Sequence, residues 1–254
     1  MQTHILSIKF FRNFSFLIVA FFLMHTLACK KATPATSSKE TGTLTDQDGN
    51  VYSTIKIGNQ WWMPDDLKVK TYQNGDSVIY EPLVINWQGT TPAYCIYSSA
   101  VKGPLYNWYA VNDARKLAPV GWHIPTDDEW KTLEMTLGIS SAEVEKVNWR
   151  GTNEGDKLKR AAETVQPNNA WTVDPSTEYS VWPNNESGFT AMAGSCRVFN
   201  GDMGYPGPGG TGFWWSSTSN NNQAWYRYLD YNKSNIFRFY GDKRYGFSVR
   251  CVKD

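Results

Sequence analysis

Beyond residue 43 the apolar residues come in short alternating segments, each cut off within a few positions by Gly, Asn, Asp or Pro. The segments are Val51–Ile57, Gln60–Met63, Gly188–Met192, Gly212–Trp215, Ala224–Leu229, Ile236–Tyr240 and Phe247–Val252. Apolar alternation bounded by turn residues predicts half-buried strands. One segment breaks the pattern. Thr126-Asp-Asp-Glu129 is a capping box behind Pro125, Trp130, Leu133 and Leu137 recur at helical spacing, and Gly138 is placed to end the helix. Shorter helices are expected at Ser141–Val147 and Lys157–Ala162. Strands, then helices, then strands again predict an α+β domain of antiparallel sheets, with one main helix at about 126–138 and both chain ends sharing a sheet. No repeat recurs at the roughly 20- to 50-residue periods of solenoids and propellers. Gly201–Gly212 is too rich in Gly and Pro for regular structure and reads as a long surface loop.

The N-terminus is of another kind. Lys9 and Arg12 precede an apolar run, Phe16–Met24, that stops at Thr26-Leu27-Ala28-Cys29. This is the layout of an export signal. The run is too short to cross a hydrocarbon core, which takes about 20 apolar residues. Leu-Ala-Cys resembles the lipobox of bacterial lipoproteins, with Thr26 where Leu is more usual. That resemblance implies cleavage after Ala28 and acylation of Cys29, by palmitate among other chains. Several chains, at about 0.8 kcal/mol per buried CH₂, would anchor the protein stably to a membrane. The expected organisation is therefore a signal peptide over 1–28, a flexible lipid-anchored tether over 29–42 rich in Thr, Ser, Ala and Pro, and one domain over 43–254.

Without Lys9 and Arg12 the 25 basic side chains fall to 23, against 24 acidic ones. The mature chain is close to neutral and shows no stripe of Lys and Arg, so nucleic acid is not an expected partner.

Catalytic groups are sparse. His123 is the one histidine beyond the signal segment, so a His-rich zinc site cannot be assembled. No Gly-x-Ser-x-Gly turn points to a nucleophilic serine. His123 is expected to be a hydrogen-bonded structural residue beside Trp122. Asp46-Gln-Asp-Gly-Asn50 places oxygens at alternate positions but lacks the Glu that completes a calcium loop. No metal and no cofactor are expected. Cys95, Cys196 and Cys251 allow one disulfide and leave one thiol over.

Seven blocks carry a family resemblance: Asp48-Gly-Asn-Val-Tyr52, Ile57-Gly-Asn-Gln-Trp61, Leu105–Val111, Ala118–Trp130, Asn185–Ala191, Phe213–Thr218 and Gly246–Val252. In this order the chain resembles the Fibrobacter succinogenes major paralogous (FISUMP) domain, a group of secreted or lipid-anchored proteins of Gram-negative bacteria with no common activity established. That family is similar to the C-type-lectin-like superfamily, which includes the formylglycine-generating sulfatase-modifying enzymes. The shared pieces are Ile124-Pro-Thr-Asp-Asp-Glu-Trp130 and Gly246-Phe-Ser-Val-Arg-Cys251. The resemblance implies a single C-type-lectin-like domain on the outer membrane, facing the periplasm or the cell surface. Ala118 stands where relatives often carry the cysteine that partners Cys251; Cys95 or Cys196 could take that place, and the resemblance favours Cys95, which occupies a recurrent family position in Tyr94-Cys-Ile-Tyr97. The enzymes of the superfamily need two cysteines near the closing strands, where this chain has Cys196 alone. Gln166-Pro-Asn168 is similar to a sugar-binding lectin tripeptide but lacks its second half, and reads as a solvated loop.

Aromatics make up 15% of the chain, and most should face the core. Trp214, Trp215, Trp225, Tyr226 and Tyr228 are the expected ligand-binding cluster, because they stand beside the Gly-rich loop. At least one of Trp214 and Trp215 should then be exposed, since neighbours on a strand point to opposite faces. The expected function is a lipid-anchored extracytoplasmic binding or adhesion module for a glycan or an envelope protein, held to the membrane through Cys29. The alternatives are a polysaccharide hydrolase and a structural envelope protein.

Overall fold

The structure is a computed structural model. It describes residues 39–83, 87–96, 103–161, 171, 183–198 and 210–254. The expected signal peptide (1–28), Cys29, Gln166–Asn168 and the Gly-rich stretch up to residue 209 lie outside the described residues.

Strand β1 (Thr41–Thr45) begins within the stretch expected to be tether and pairs antiparallel with β2 (Val51–Ile57). Asp46-Gln-Asp-Gly-Asn50 is the turn between them. Asp46 Oδ1 accepts the backbone N–H groups of Asp48 and Asn50, and Oδ2 accepts Asn50 Nδ2 and the Tyr52 hydroxyl, so this carboxylate is spent on the turn. Next come β3 (Gln60–Trp62), β4 (Ile79–Tyr80), β5 (Ala93–Cys95), β6 (Leu105–Asn107) and helix α1 (Trp108–Val111). Strand β7 (Trp122–His123) leads into the main helix, α2 (Asp127–Leu137).

Helix α2 starts and stops where local chemistry dictates. Thr126 Oγ1 accepts the Glu129 N–H at 3.2 Å, and Glu129 Oε2 accepts the Thr126 N–H at 2.8 Å. Gly138, at φ 127°, closes the far end in a conformation that a side chain would disfavour. Trp130, Leu133 and Leu137 are buried on one face. Helix α3 (Ser141–Val144), β8 (Asn148–Arg150) and α4 (Glu154–Leu158) follow. Both short helices differ from expectation: α3 ends early and α4 lies upstream. The long strands β9 (Thr211–Asn220), β10 (Gln223–Asp230) and β11 (Ile236–Asp242) precede the closing pair β12 (Gly246–Phe247) and β13 (Val252–Lys253).

Among the described residues these strands form three sheets, ordered β1-β2-β3-β13-β7, β8-β11-β10-β9 and β12-β6-β5-β4. The closing strand β13 pairs with β3 from the beginning of the domain, so the ends share a sheet. Among the described residues every pairing between two of these strands is antiparallel except β4 with β5. Among the described residues no helix is long and apolar enough to cross a membrane.

Two expected strands are not strands. In Gly188–Met192 the backbone turns left-handed at Gly188 (φ 77°) and Thr190 (φ 55°), leaving only an isolated bridge from Ala191 to Lys159. Phe247–Val252 divides into β12 and β13. Between them Val249 and Cys251 give their carbonyls to Leu67 and Met63 N–H groups, and their side chains sit in the core.

The main core gathers Tyr52, Tyr72, Tyr106, Trp108, Trp215, Phe247 and Cys251, and a second gathers Trp62, Trp130, Trp171, Phe189 and Trp214 around α2. The four-stranded sheet β8-β11-β10-β9 serves both, and that position decides what its two faces can do.

Candidate functional site

Trp214 and Trp215 do point to opposite faces of β9, but both are buried, at 1% and 0% exposure. The alternation is right and the exposure drawn from it is wrong, because β9 is covered on both sides. Trp215 packs on Phe247 with ring centroids 4.4 Å apart and donates its indole N–H to the Tyr106 carbonyl at 2.9 Å. Trp214 enters the second core and donates to Asp66 Oδ1 at 2.9 Å. A Cβ on Gly212 would lie 2.2 Å from the Trp214 ring, so only glycine fits there. Neither tryptophan can meet a ligand.

Trp225, Tyr226 and Tyr228 are half-buried. Arg238 lies over one face of Trp225, its guanidinium carbon 3.8 Å from the ring centre, so that face is already occupied. Tyr226 and Tyr228 belong to a larger feature that the sequence did not show. Strand pairing sets Phe213 opposite Tyr228, Tyr228 opposite Phe237, and Phe237 opposite Trp149. The four rings form one row across all four strands. Phe213 and Tyr228 stack at 4.6 Å and 14°, while Tyr228 with Phe237 and Phe237 with Trp149 meet edge to face at 5.6 and 5.2 Å. Tyr226 and Phe239 pair in the neighbouring row. Phe213 and Tyr226 lean on the core, and the other end of the row, at Phe237 and Trp149, is half-exposed. Burial first, and then the hydrogen bond from its hydroxyl to Asp230, raises the Tyr228 pKa. Tyr228 therefore stays a neutral phenol.

Opposite this row the same sheet carries charge. Arg227 Nε reaches Glu134 Oε1 at 2.5 Å and its Nη1 reaches Asp127 Oδ1 at 2.7 Å. Arg150 Nη2 reaches Glu134 Oε2 at 2.6 Å, and Arg238 Nη2 reaches Asp127 Oδ2 at 2.6 Å. All five residues are buried. Two further guanidinium donors turn to carbonyls at and just past the end of α3: Arg238 Nη1 to Glu145 O at 2.8 Å and Arg150 Nε to Lys146 O at 3.2 Å. Such carbonyls are the partially negative end of a helix. Burial alone would raise the Asp127 pKa, but the hydrogen bonds and charges of Arg238 and Arg227 outweigh it and bring it down to about 2.

His123 sits on β7 between two carboxylates. Nε2 is 2.7 Å from Glu129 Oε1, and Nδ1 is 2.6 Å from Asp254 Oδ1. Glu129 thus closes the capping box with one oxygen and holds His123 with the other. Burial lowers the imidazole pKa, but its hydrogen bonds to Asp254 and Glu129 outweigh that and raise it. With both nitrogens engaged, neither is free to act as a base. The imidazole also fills the space between the two carboxylates where a glycosidic bond would have to sit. The group is a clamp joining the chain's last residue to α2. Beside it opens a cleft of about 460 Å³, lined among others by Val111, Lys116, Leu117, Val120, Ile124 and Asp254.

The expected Cys95–Cys251 disulfide is not formed: Cys95 and Cys251 are free thiols, and all three cysteines of the domain, Cys196 included, are buried. Tyr94 packs in the same cluster as Cys251, so its strand neighbour Cys95 points away, into a separate cluster with Trp87 and Leu105. Burial holds the thiol of Cys251 well above its usual pKa, and that of Cys95 up despite nearby Arg197. Neither is a ready nucleophile. Among the described residues no group of three or more His, Cys, Asp or Glu is placed to hold a metal ion.

The motif residues have a common use. Arg250 Nε and the Trp214 indole N–H share Asp66 Oδ1, at 2.8 and 2.9 Å. The Arg250 guanidinium stacks over Phe189 and donates to the carbonyls of Phe189 and Thr190. Asn185 Oδ1 accepts the Thr190 N–H at 2.8 Å, pinning a β-branched residue in the left-handed region, where it costs about 1–3 kcal/mol. The blocks Asn185–Ala191, Phe213–Thr218 and Gly246–Val252 therefore meet in one buried lock between sheet and loop.

No curated protein and no solved structure matches the chain significantly. The family model of the Fibrobacter succinogenes major domain matches residues 55–253, nearly the whole span from β2 to β13, and the chain belongs to that family.

Proposed function

We propose that this protein is a lipid-anchored extracytoplasmic binding module of C-type-lectin-like architecture, tethered through Cys29 in the outer membrane of a Gram-negative bacterium, and that its ligand is a protein. The observation that carries the reading is the half-exposed aromatic row from Phe213 to Trp149. Rings and half-buried aromatics of this kind are favoured at protein interfaces. A pyranose needs a flat ring face with amides or carboxylates beside it. Here Tyr228, Phe237 and Trp149 meet edge to face, and the adjacent Asp230 carboxylate already accepts the Tyr228 hydroxyl and the Asn232 N–H. The pairing of β13 with β3 supports the lectin-like architecture, and the Leu27-Ala28-Cys29 sequence supports the anchor.

The test is site-specific photo-crosslinking in intact cells. A benzophenone at Phe237 should give a discrete adduct that the same probe at Val51, exposed on another sheet, does not give. Equal labelling at both positions, or none at Phe237, would reject the partner surface; binding of the purified chain to a glycan panel would then favour sugar recognition. Labelled palmitate should enter the wild-type chain and not Cys29→Ser.

A further inference from the structure

We propose that the cleft beside β7 binds a small zwitterion, an α-amino acid with an apolar side chain, at a site separate from the aromatic row. Its volume, about 460 Å³, falls in the range of small-molecule sites. The lining divides by chemistry. Val111, Leu117 and Ile124 belong to the main core and form an apolar wall, and Val120, 82% exposed, stands at the rim. Two opposite charges line the same cleft with capacity to spare. Lys116 is exposed, and its ammonium has no hydrogen-bond or ion-pair partner among the described residues. Asp254 uses Oδ1 on His123, and no hydrogen bond from the described residues reaches its Oδ2.

A second observation singles out Lys116. Its φ is 61°, in the left-handed region, where a long side chain gains nothing locally. Strain of this kind persists where the surroundings impose it, and it gathers at ligand sites. The surroundings here are explicit: the Lys116 carbonyl accepts the Gln73 N–H at 3.0 Å, and the Lys116 N–H donates to the Asp113 carbonyl at 2.9 Å. Gln73 and Asp113 line the cleft too. The turn thus carries the only unpaired ammonium among the cleft's described residues. The fit is a carboxylate on Lys116, an ammonium at Asp254 Oδ2 and an aliphatic side chain against the wall. A charge-assisted hydrogen bond at each end gives the site its preference for a molecule carrying both charges.

Isothermal titration of the full mature chain with L-leucine, N-acetyl-L-leucine and L-leucinamide tests this. L-leucine should bind saturably, and the acetylated and amidated forms, each lacking one charge, about tenfold or more weakly. Lys116→Met should weaken L-leucine by a similar factor at an unchanged melting temperature, because the side chain is exposed. Should that variant fail to fold, Val120→Trp, which narrows the mouth from an exposed position, should also abolish binding. No saturable binding of L-leucine, equal binding of the three probes, or wild-type affinity in the folded variants would overturn the proposal.

Discussion

The two faces of the sheet β8-β11-β10-β9 are built from the same strands and differ by one residue of register. Phe213, Tyr228, Phe237 and Trp149 cross one face, while Trp214, Arg227 and Arg238 cross the other in the next row. The charged face is sealed by α2, so each guanidinium has to find a carboxylate or a carbonyl. The aromatic face is sealed only toward β9, where Phe213 meets Phe247 at 5.0 Å, and is half-exposed at Trp149. Burying charge costs more than burying rings, and the chain commits its helix and its caps to the charged side. What remains open to solvent is the side that can tolerate being wet.

The largest expected effect breaks the charged face. Arg227→Met leaves Asp127 and Glu134 each short of a partner at full burial, and should cost about 3–5 kcal/mol in urea unfolding. Changing Arg227 to Met together with Glu134 to Leu should cost less than the two single changes summed, because the orphaned charge goes too. A loss below about 1 kcal/mol for Arg227→Met would mean the cluster is not holding the helix on the sheet.

Acid probes the same face next. The folded-state pKa of Asp127 is depressed to about 2 from 3.8, so its contribution is present above 3.8 and is lost as pH falls through about 2. The difference corresponds to about 2 kcal/mol. Comparison with Asp127→Asn isolates it: the stability gap between the two chains should close on acidification. A gap that stays constant down to about pH 2 would reject the linkage.

On the aromatic face Trp149→Ala should cost only about 1 kcal/mol, since the indole is half-exposed. It should also weaken the crosslink proposed at Phe237. A cost above about 3 kcal/mol would show that the ring is core, and would close the surface to any partner.

How much of this was legible follows from how local each feature is. The capping box and Gly138 signal α2 within a dozen residues, and β9 to β11 announce themselves by alternation. Strands β4 to β7 do not, because two or three residues cannot show a period. Gly188–Met192 alternates like a strand, yet Asn185 and Arg250 hold it bent, and Arg250 lies 60 residues beyond Thr190 in the sequence. The aromatic row was half visible: Tyr226 and Tyr228 stand out, but Trp149 joins them only through its pairing with Phe237. Trp214 and Trp215 misled for the same reason, since alternation assigns faces and says nothing about what covers them. The cleft brings Lys116, from the interior of the chain, beside Asp254 at its far end, and no local signal joins them.

The smallest effect belongs to the clamp, which sharpens the comparison by placing charge pairing at the surface. His123 lies between Glu129 and Asp254 much as Arg227 lies between Asp127 and Glu134, but its side chain is 38% exposed, and those of Glu129 and Asp254 are 29% and 60% exposed. Water and salt screen such a pair, so it contributes far less than its buried counterpart. The sign is nevertheless fixed. The imidazole pKa is raised in the folded state, so the contribution is complete below about 6.5, the unfolded value, and fades as pH rises through the folded one. Wild type should therefore lose melting temperature relative to His123→Gln between about pH 6 and pH 9, by a margin that shrinks in high salt. Parallel profiles would mean that the clamp orients residues without stabilising them. A margin as large as that of Arg227→Met would show that burial is not what separates the two sites, and the contrast between the charged face and the open face would need another cause.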